Sequence, residues 1–177
     1  MNVEPHTVAK VSIPKARISW VASKMHITYT EVLAKLNSLL EYVKDKTIAD
    51  AKLWINRFVP KRTGQLRTDL IEWMEGSTIK KYVLKVTLGT YLPYAADLND
   101  MSTFHVRHDG EVGYVYYKNK PGIEGRVILH DPEAIGKYYE KLVEFVKNTV
   151  MKYAVMGSNT FFNKSETAKT EVIKSLG

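Results

Sequence analysis

The chain has 177 residues, a formal net charge of +7, 45% apolar and 25% charged residues, and no cysteine. That length supports one domain around one core, and the absence of thiols excludes disulfides, cysteine nucleophiles and thiolate metal or iron–sulfur centres. No run approaches the roughly 18 consecutive apolar residues of a membrane span, so a soluble chain with no membrane partner is expected.

The N-terminus, Met1-Asn2-Val3-Glu4-Pro5-His6, has no basic region feeding an apolar stretch, so export is not expected and folding in a cytoplasm is. The first 24 residues lack long periodicity. Lys15 to Val21 can be read as a strand through Ala16, Ile18 and Trp20, and residues 1–24 are otherwise expected to form an arm that orders on a neighbour. A domain over residues 25–156 and a tail over 157–177 complete the expected division.

From Tyr29 to Phe58 the residues Leu33, Leu36, Leu40, Val43, Thr47, Ala51, Trp54 and Phe58 recur at helical spacings of three and four. Leu39, Ile48 and Ile55 widen the apolar face. Thr28 with Glu31 fits a capping box, and Pro60 cannot donate the hydrogen bond that continuation needs. A helix of this length spans about 45 Å. It must cross the whole molecule or break near Lys44-Asp45-Lys46-Thr47.

Thr63-Gly64 then supplies a turn in which glycine can take positive φ, and Gln65 to Met74 is read as a strand. Gly76-Ser77-Thr78 makes the next turn. Ile79 to Leu88 alternates as a half-buried strand through Tyr82, Leu84, Val86 and Leu88. After Gly89-Thr90, Pro93 to Leu98 predicts a short helix, Met101 to Gly113 an exposed loop, and Val112 to Lys118 and Gly125 to Leu129 two further strands. Asp131-Pro132-Glu133 has the chemistry of a helix start. The helix it opens carries Ile135, Tyr138, Leu142, Val146, Thr149, Val150 and Tyr153 on one face and is expected to end near Gly157. The pattern predicts an α+β domain in which a small, mainly antiparallel sheet packs against a long N-terminal helix and a C-terminal helix.

Two glycine elements stand out: Pro60-Lys61-Arg62-Thr63-Gly64-Gln65-Leu66-Arg67, and Leu88-Gly89-Thr90-Tyr91-Leu92-Pro93-Tyr94-Ala95. Neither has the spacing of a phosphate loop, a nucleophile elbow or a metal site, so both read first as backbone punctuation. Their order resembles that of the neck or tail-completion proteins of long-tailed bacteriophages, often labelled minor capsid or head–tail joining proteins. In these a helix and a proline precede Thr-Gly-x-Leu-Arg, a strand ends in Gly-Thr, Tyr-Ala follows, and a helix closes the chain. The resemblance covers about Met25 to Val155.

It implies a structural protein without catalysis or cofactor, a homo-oligomeric ring (hexamer or dodecamer) in the neck of a virion, assembled in the host cytoplasm. Its implied partners are a portal, adaptor or head-completion protein on one side and a tail terminator or tail-tube protein on the other. Genomic DNA would pass through the lumen without sequence-specific binding. The motif residues carried over as structural or interface positions are Thr63, Gly64, Leu66, Arg67, Gly89, Thr90, Pro93, Tyr94 and Ala95. This chain departs from the family pattern with Lys61-Arg62 before Thr-Gly, where an acidic residue is common. It departs again with Asp97-Leu98-Asn99-Asp100 after Tyr-Ala, and in its 24-residue leader.

Tyr91, Tyr94, Tyr114, Tyr116 and Tyr117 can anchor an interface or fill the faces of the sheet. Two other classes stay open. His105, His108 and Asp109 form a loose His-x-x-His-Asp pattern that becomes a metal or acid–base site only if another ligand, such as His130 or Asp131, converges on it. Lys61, Arg62, Arg67, Lys80, Lys81 and Lys85 can form a basic nucleic-acid face, although little aromatic residue is interleaved with them; a sliding DNA favours these side chains facing protein partners or the outside. Glu72, Glu75, Asp97 and Asp100 are the carboxylates nearest the glycine elements and read first as solvated.

Overall fold

The computed structural model describes residues 2–61, 63–100, 105–106, 113–115, 127–129, 133–162 and 174. Its first element is a strand, β1 (His6–Ser12), in which Val8 and Val11 are buried and Thr7 and Lys10 are exposed. The leader expected to form an arm is therefore part of the sheet. The helix α1 (Lys15–Met25) follows, where a strand was expected. Its buried residues, Ile18, Val21, Ala22 and Met25, fall at i, i+3, i+4 and i+7, and this longer period overrides the two-residue alternation of Ala16, Ile18 and Trp20. His26, in the left-handed region at φ 55°, ends the helix.

Helix α2 (Tyr29–Phe58) runs unbroken for 30 residues. The capping box at its start is closed in both directions: Glu31 N donates to Thr28 Oγ1 at 3.1 Å, and Thr28 N donates to Glu31 Oε2 at 2.6 Å. The suspected break near residues 44–47 does not occur. Thr47 is fully buried there and Lys44 pairs with Glu41 one turn back, so both faces of the helix are occupied.

Gln65–Glu75 is a helix, α3, and not the expected strand. Leu66, Leu70 and Met74 recur every four residues on its buried face, a period that the intervening charged residues hide from a reading by alternation. Next, the stretch expected as one strand folds into a hairpin of β2 (Thr78–Lys80) and β3 (Val83–Leu88). Lys81 and Tyr82 both have positive φ, 49° and 59°, as a two-residue hairpin loop requires. Neither residue is a usual choice there, so the turn left no composition signal. The sheet order is β1-β3-β2, antiparallel throughout, with a bulge between Thr7 and Ala9.

Helix α4 (Ala95–Asp100) lies two residues downstream of its expected position. A second antiparallel sheet joins β4 (His105–Val106), β5 (Gly113–Val115) and β6 (Val127–Leu129) in that order. β4 falls within the expected loop over Met101 to Gly113, and β5 and β6 fall within the two expected strands. The closing helix, α5 (Tyr138–Phe161), starts later and ends later than expected. Lys137, left-handed at φ 56°, is its N-cap, while Asp131 and Pro132 lie outside the described residues. It passes through Gly157, where α2 approaches closely and leaves no room for a side chain: a Cβ there would lie 3.0 Å from the Tyr42 ring and closer still to Leu39.

α2 and α5 run antiparallel along each other. Successive contacts mark the pairing: Ile135 N to Phe58 O, Trp54 stacked on Phe145, Tyr153 Oη to Asp50 at 2.7 Å, and Tyr42 against Phe161. Their shared apolar face meets the inner face of β1 and β3, so Leu36, Leu39, Leu40, Val43, Leu84, Val86, Leu88 and Leu142 form one core with Leu70 and Met74 of α3. Among the described residues, no helix is long and apolar enough to cross a membrane.

Candidate functional site

The first glycine element joins α2 to α3. Pro60 stops α2, and Gly64 takes φ 91° at the N-cap of α3, where a side chain would be strained although an added Cβ would make only an ordinary 3.7 Å contact with the Lys61 side chain. Thr63 is exposed, and its Oγ1 accepts from Gln65 N at 3.4 Å. Leu66 and Arg67 turn inward, with 3% and 7% of their surface exposed. Arg67 Nε donates to Val59 O at 2.8 Å, placing a cation at the C-terminus of α2, where the unpaired carbonyls and the helix dipole both favour it. The conformation of the turn is thus held by a side chain of the following helix. An open depression of about 670 Å³ beside it is lined by Asn56, Lys61, Thr63, Gln65, Asp69 and Glu72 among others.

The second element has a different basis. Gly89, at φ 148°, packs main chain against main chain: a Cβ there would lie 2.6 Å from the Glu4 carbonyl carbon and closer still to the Pro5 backbone. Thr90 N donates to Val3 O at 2.8 Å, continuing the contact one residue on, and the buried Thr90 side chain accepts from Leu92 N at 3.1 Å. Pro93 is exposed, Tyr94 half-buried and Ala95 fully buried. The Gly-Thr step is a seam that stitches residues 2–5 onto the end of β3.

Two tyrosines that the sequence reading did not single out for this role lock the seam to α5. Tyr138 Oη donates to Ala95 O at 2.9 Å, Tyr139 Oη donates to Leu88 O at 3.2 Å, and Tyr139 N donates to Asn99 Oδ1 at 2.7 Å. Both phenols are held above the ordinary tyrosine range, in each case mainly because burial disfavours the phenolate. Tyr153 is also raised, first by its hydrogen bond to the Asp50 carboxylate. A helix-facing Tyr-Tyr pair that follows a Pro-Tyr-Ala element was the available signal; only Tyr138 was expected on the buried face.

Of the other candidates, Tyr91 is 67% exposed and meets Trp73 edge-on at 5.7 Å, whereas Tyr114 is a residue of β5 paired with His105 of β4. Tyr116, Tyr117, His108, Asp109, His130 and Asp131 lie outside the described residues, as does Arg62. Among the described residues, no three His, Asp or Glu side chains converge. Glu75 pairs with Lys52, while Glu72 and Asp100 are exposed.

The basic residues divide. Arg67 is structural, Lys61 borders the depression, Lys81 sits in the hairpin turn, and Lys80 and Lys85 belong to the outer face of the first sheet. Comparison with known protein families, with characterised proteins and with solved structures gave no match.

Proposed function

We propose that this chain is a structural component of the head-to-tail connector of a tailed virus, a neck or tail-completion protein whose copies form a ring between the portal complex and the tail. The observation that carries this reading is the use to which both glycine elements are put. Gly64 takes a positive φ to open α3, and Gly89 lets the N-terminal segment lie on β3, so both serve the path of the backbone. They occur in the order in which the neck proteins carry Thr-Gly-x-Leu-Arg and Gly-Thr with Tyr-Ala. The α2–α5 pair across a small antiparallel sheet also fits the architecture which that resemblance implies.

On this reading Leu66, Arg67, Thr90 and Ala95 build the protomer, and the exposed Thr63, Pro93 and Tyr91 are left for contacts with neighbours. No catalytic step is assigned to the chain. Deleting its gene should give DNA-filled heads and finished tails that fail to join, and mass spectrometry of intact particles should find the chain at several copies per virion. Normal joined particles from the deletion would rule the proposal out.

A further inference from the structure

Each strand of the first sheet contributes one lysine to its outer face. Lys10 of β1 lies directly opposite Lys85 of the central strand β3, and Lys80 of β2 lies on the diagonal from Lys85, two residues along from Thr78, which pairs with Lys85. Val11, Leu84 and Val86 are buried on the other side, so the lysines form a row across the exposed face. At the usual spacing of roughly 5 Å between strands, three strands place this row across about 10 Å. All three lysines are exposed, and among the described residues none pairs with a carboxylate. The strands themselves contain no acidic residue. Like charges directly opposite across a ladder are destabilising, so the Lys10–Lys85 pair costs the protomer stability that an apposed anion restores.

The remainder of the face narrows the kind of anion. It consists of Thr7, Ser12, Thr78, Thr87 and Val83, so hydroxyls surround the lysines and no aromatic ring is present. Lys81 and Tyr82, in the turn between β2 and β3, line a groove with Leu33 and Ala34 of α2 instead. Protein interfaces centre on aromatic and other apolar anchors and are depleted in lysine and serine. Phosphate contacts, in contrast, are made by lysine together with serine and threonine hydroxyls. The bases of a single strand would find no ring here to stack on.

We infer that this face binds the sugar-phosphate backbone of duplex DNA, independently of sequence, through Lys10, Lys80 and Lys85 with the flanking hydroxyls. Three phosphate contacts give weak, salt-sensitive binding of the kind that lets a protein and DNA slide past each other. Sliding therefore does not keep these lysines away from DNA, contrary to the expectation from sequence. The inference does not need the ring, because one copy presents the whole face.

Fluorescence anisotropy of a short labelled duplex, titrated with the full chain at increasing salt, tests this. The logarithm of the association constant should fall against that of the salt concentration with a slope of about −2.7, as three phosphate contacts require, and duplexes of unrelated sequence should bind alike. K10Q/K80Q/K85Q should weaken binding at least tenfold at low salt and flatten the slope. K46Q/K141Q/K147Q, which removes three exposed charges from α2 and α5, should leave both unchanged. Circular dichroism and melting would confirm that both variants fold. Equal losses in the two variants would mean that net charge alone attracts the duplex and would overturn the assignment, as would a wild-type chain that fails to bind at low salt. Tighter binding of polyglutamate than of the duplex, lost in K10Q/K80Q/K85Q, would give the face to an acidic protein instead. A chain that binds the duplex as a monomer at every concentration would support this inference and contradict the ring.

Discussion

Gly64 and Gly89 look equivalent in the sequence, each a glycine beside a threonine at the end of an element, yet the structure asks different things of them. At Gly64 only the positive φ matters, so Gly64→Ala should cost about 1 kcal/mol. At Gly89 the added methyl also meets backbone that cannot move without unpicking residues 2–5 from β3, so Gly89→Ala should cost roughly 2–4 kcal/mol. Urea unfolding of the two variants side by side checks the order; equal losses would mean that the close approach at Gly89 is absent. Arg67 provides a third case. Arg67→Met leaves the Val59 carbonyl without its buried partner and should cost about 1.5–3 kcal/mol, with Arg67→Lys recovering little because an ammonium cannot reproduce the guanidinium geometry. The need for a glycine at both turns was legible in the sequence. The inward direction of Arg67 was not, because an arginine in a basic stretch reads as surface until the end of α2 is seen to lie beside it.

Among elements, α2 was legible nearly to the residue because its start and stop carry their own chemistry, a capping box and a proline, independent of the apolar period. Elements without such marks were misread. α1 and α3 have only 11 residues each, with charged residues interspersed among the buried ones, and the β2–β3 turn uses Lys81 and Tyr82 where asparagine and glycine would have announced it. The leader was misread for a further reason: β1 pairs with a strand about 75 residues away, and no local pattern reports such a partner. Deleting residues 1–13 should therefore abolish cooperative thermal unfolding; a truncated chain that melts like the whole would restore the arm.

The junction between α5 and the Gly-Thr seam has a pH signature. Above about pH 10 the unfolded chain releases the phenol protons of Tyr138 and Tyr139 while the folded chain keeps them, so the folded state binds more protons and stability falls as pH rises. Below that range the contribution is intact. Stability measured from pH 8 to 11 should decline at the alkaline end, and Tyr139→Phe should flatten the decline; an unchanged slope would show that its phenol is not held buried.

At the scale of the whole molecule, the charge of +7 is unevenly placed: Lys10, Lys80 and Lys85 gather on the outer face of the first sheet. The sequence lists these residues but cannot show that Lys10 and Lys85 are neighbours, because the register that pairs them spans most of the chain's first half. Negative-stain imaging of the purified full chain at low salt, together with its mass in solution, tests the central claim most directly. Closed rings of six or twelve copies are predicted, whereas a chain that remains monomeric from micromolar to millimolar concentration would contradict the account.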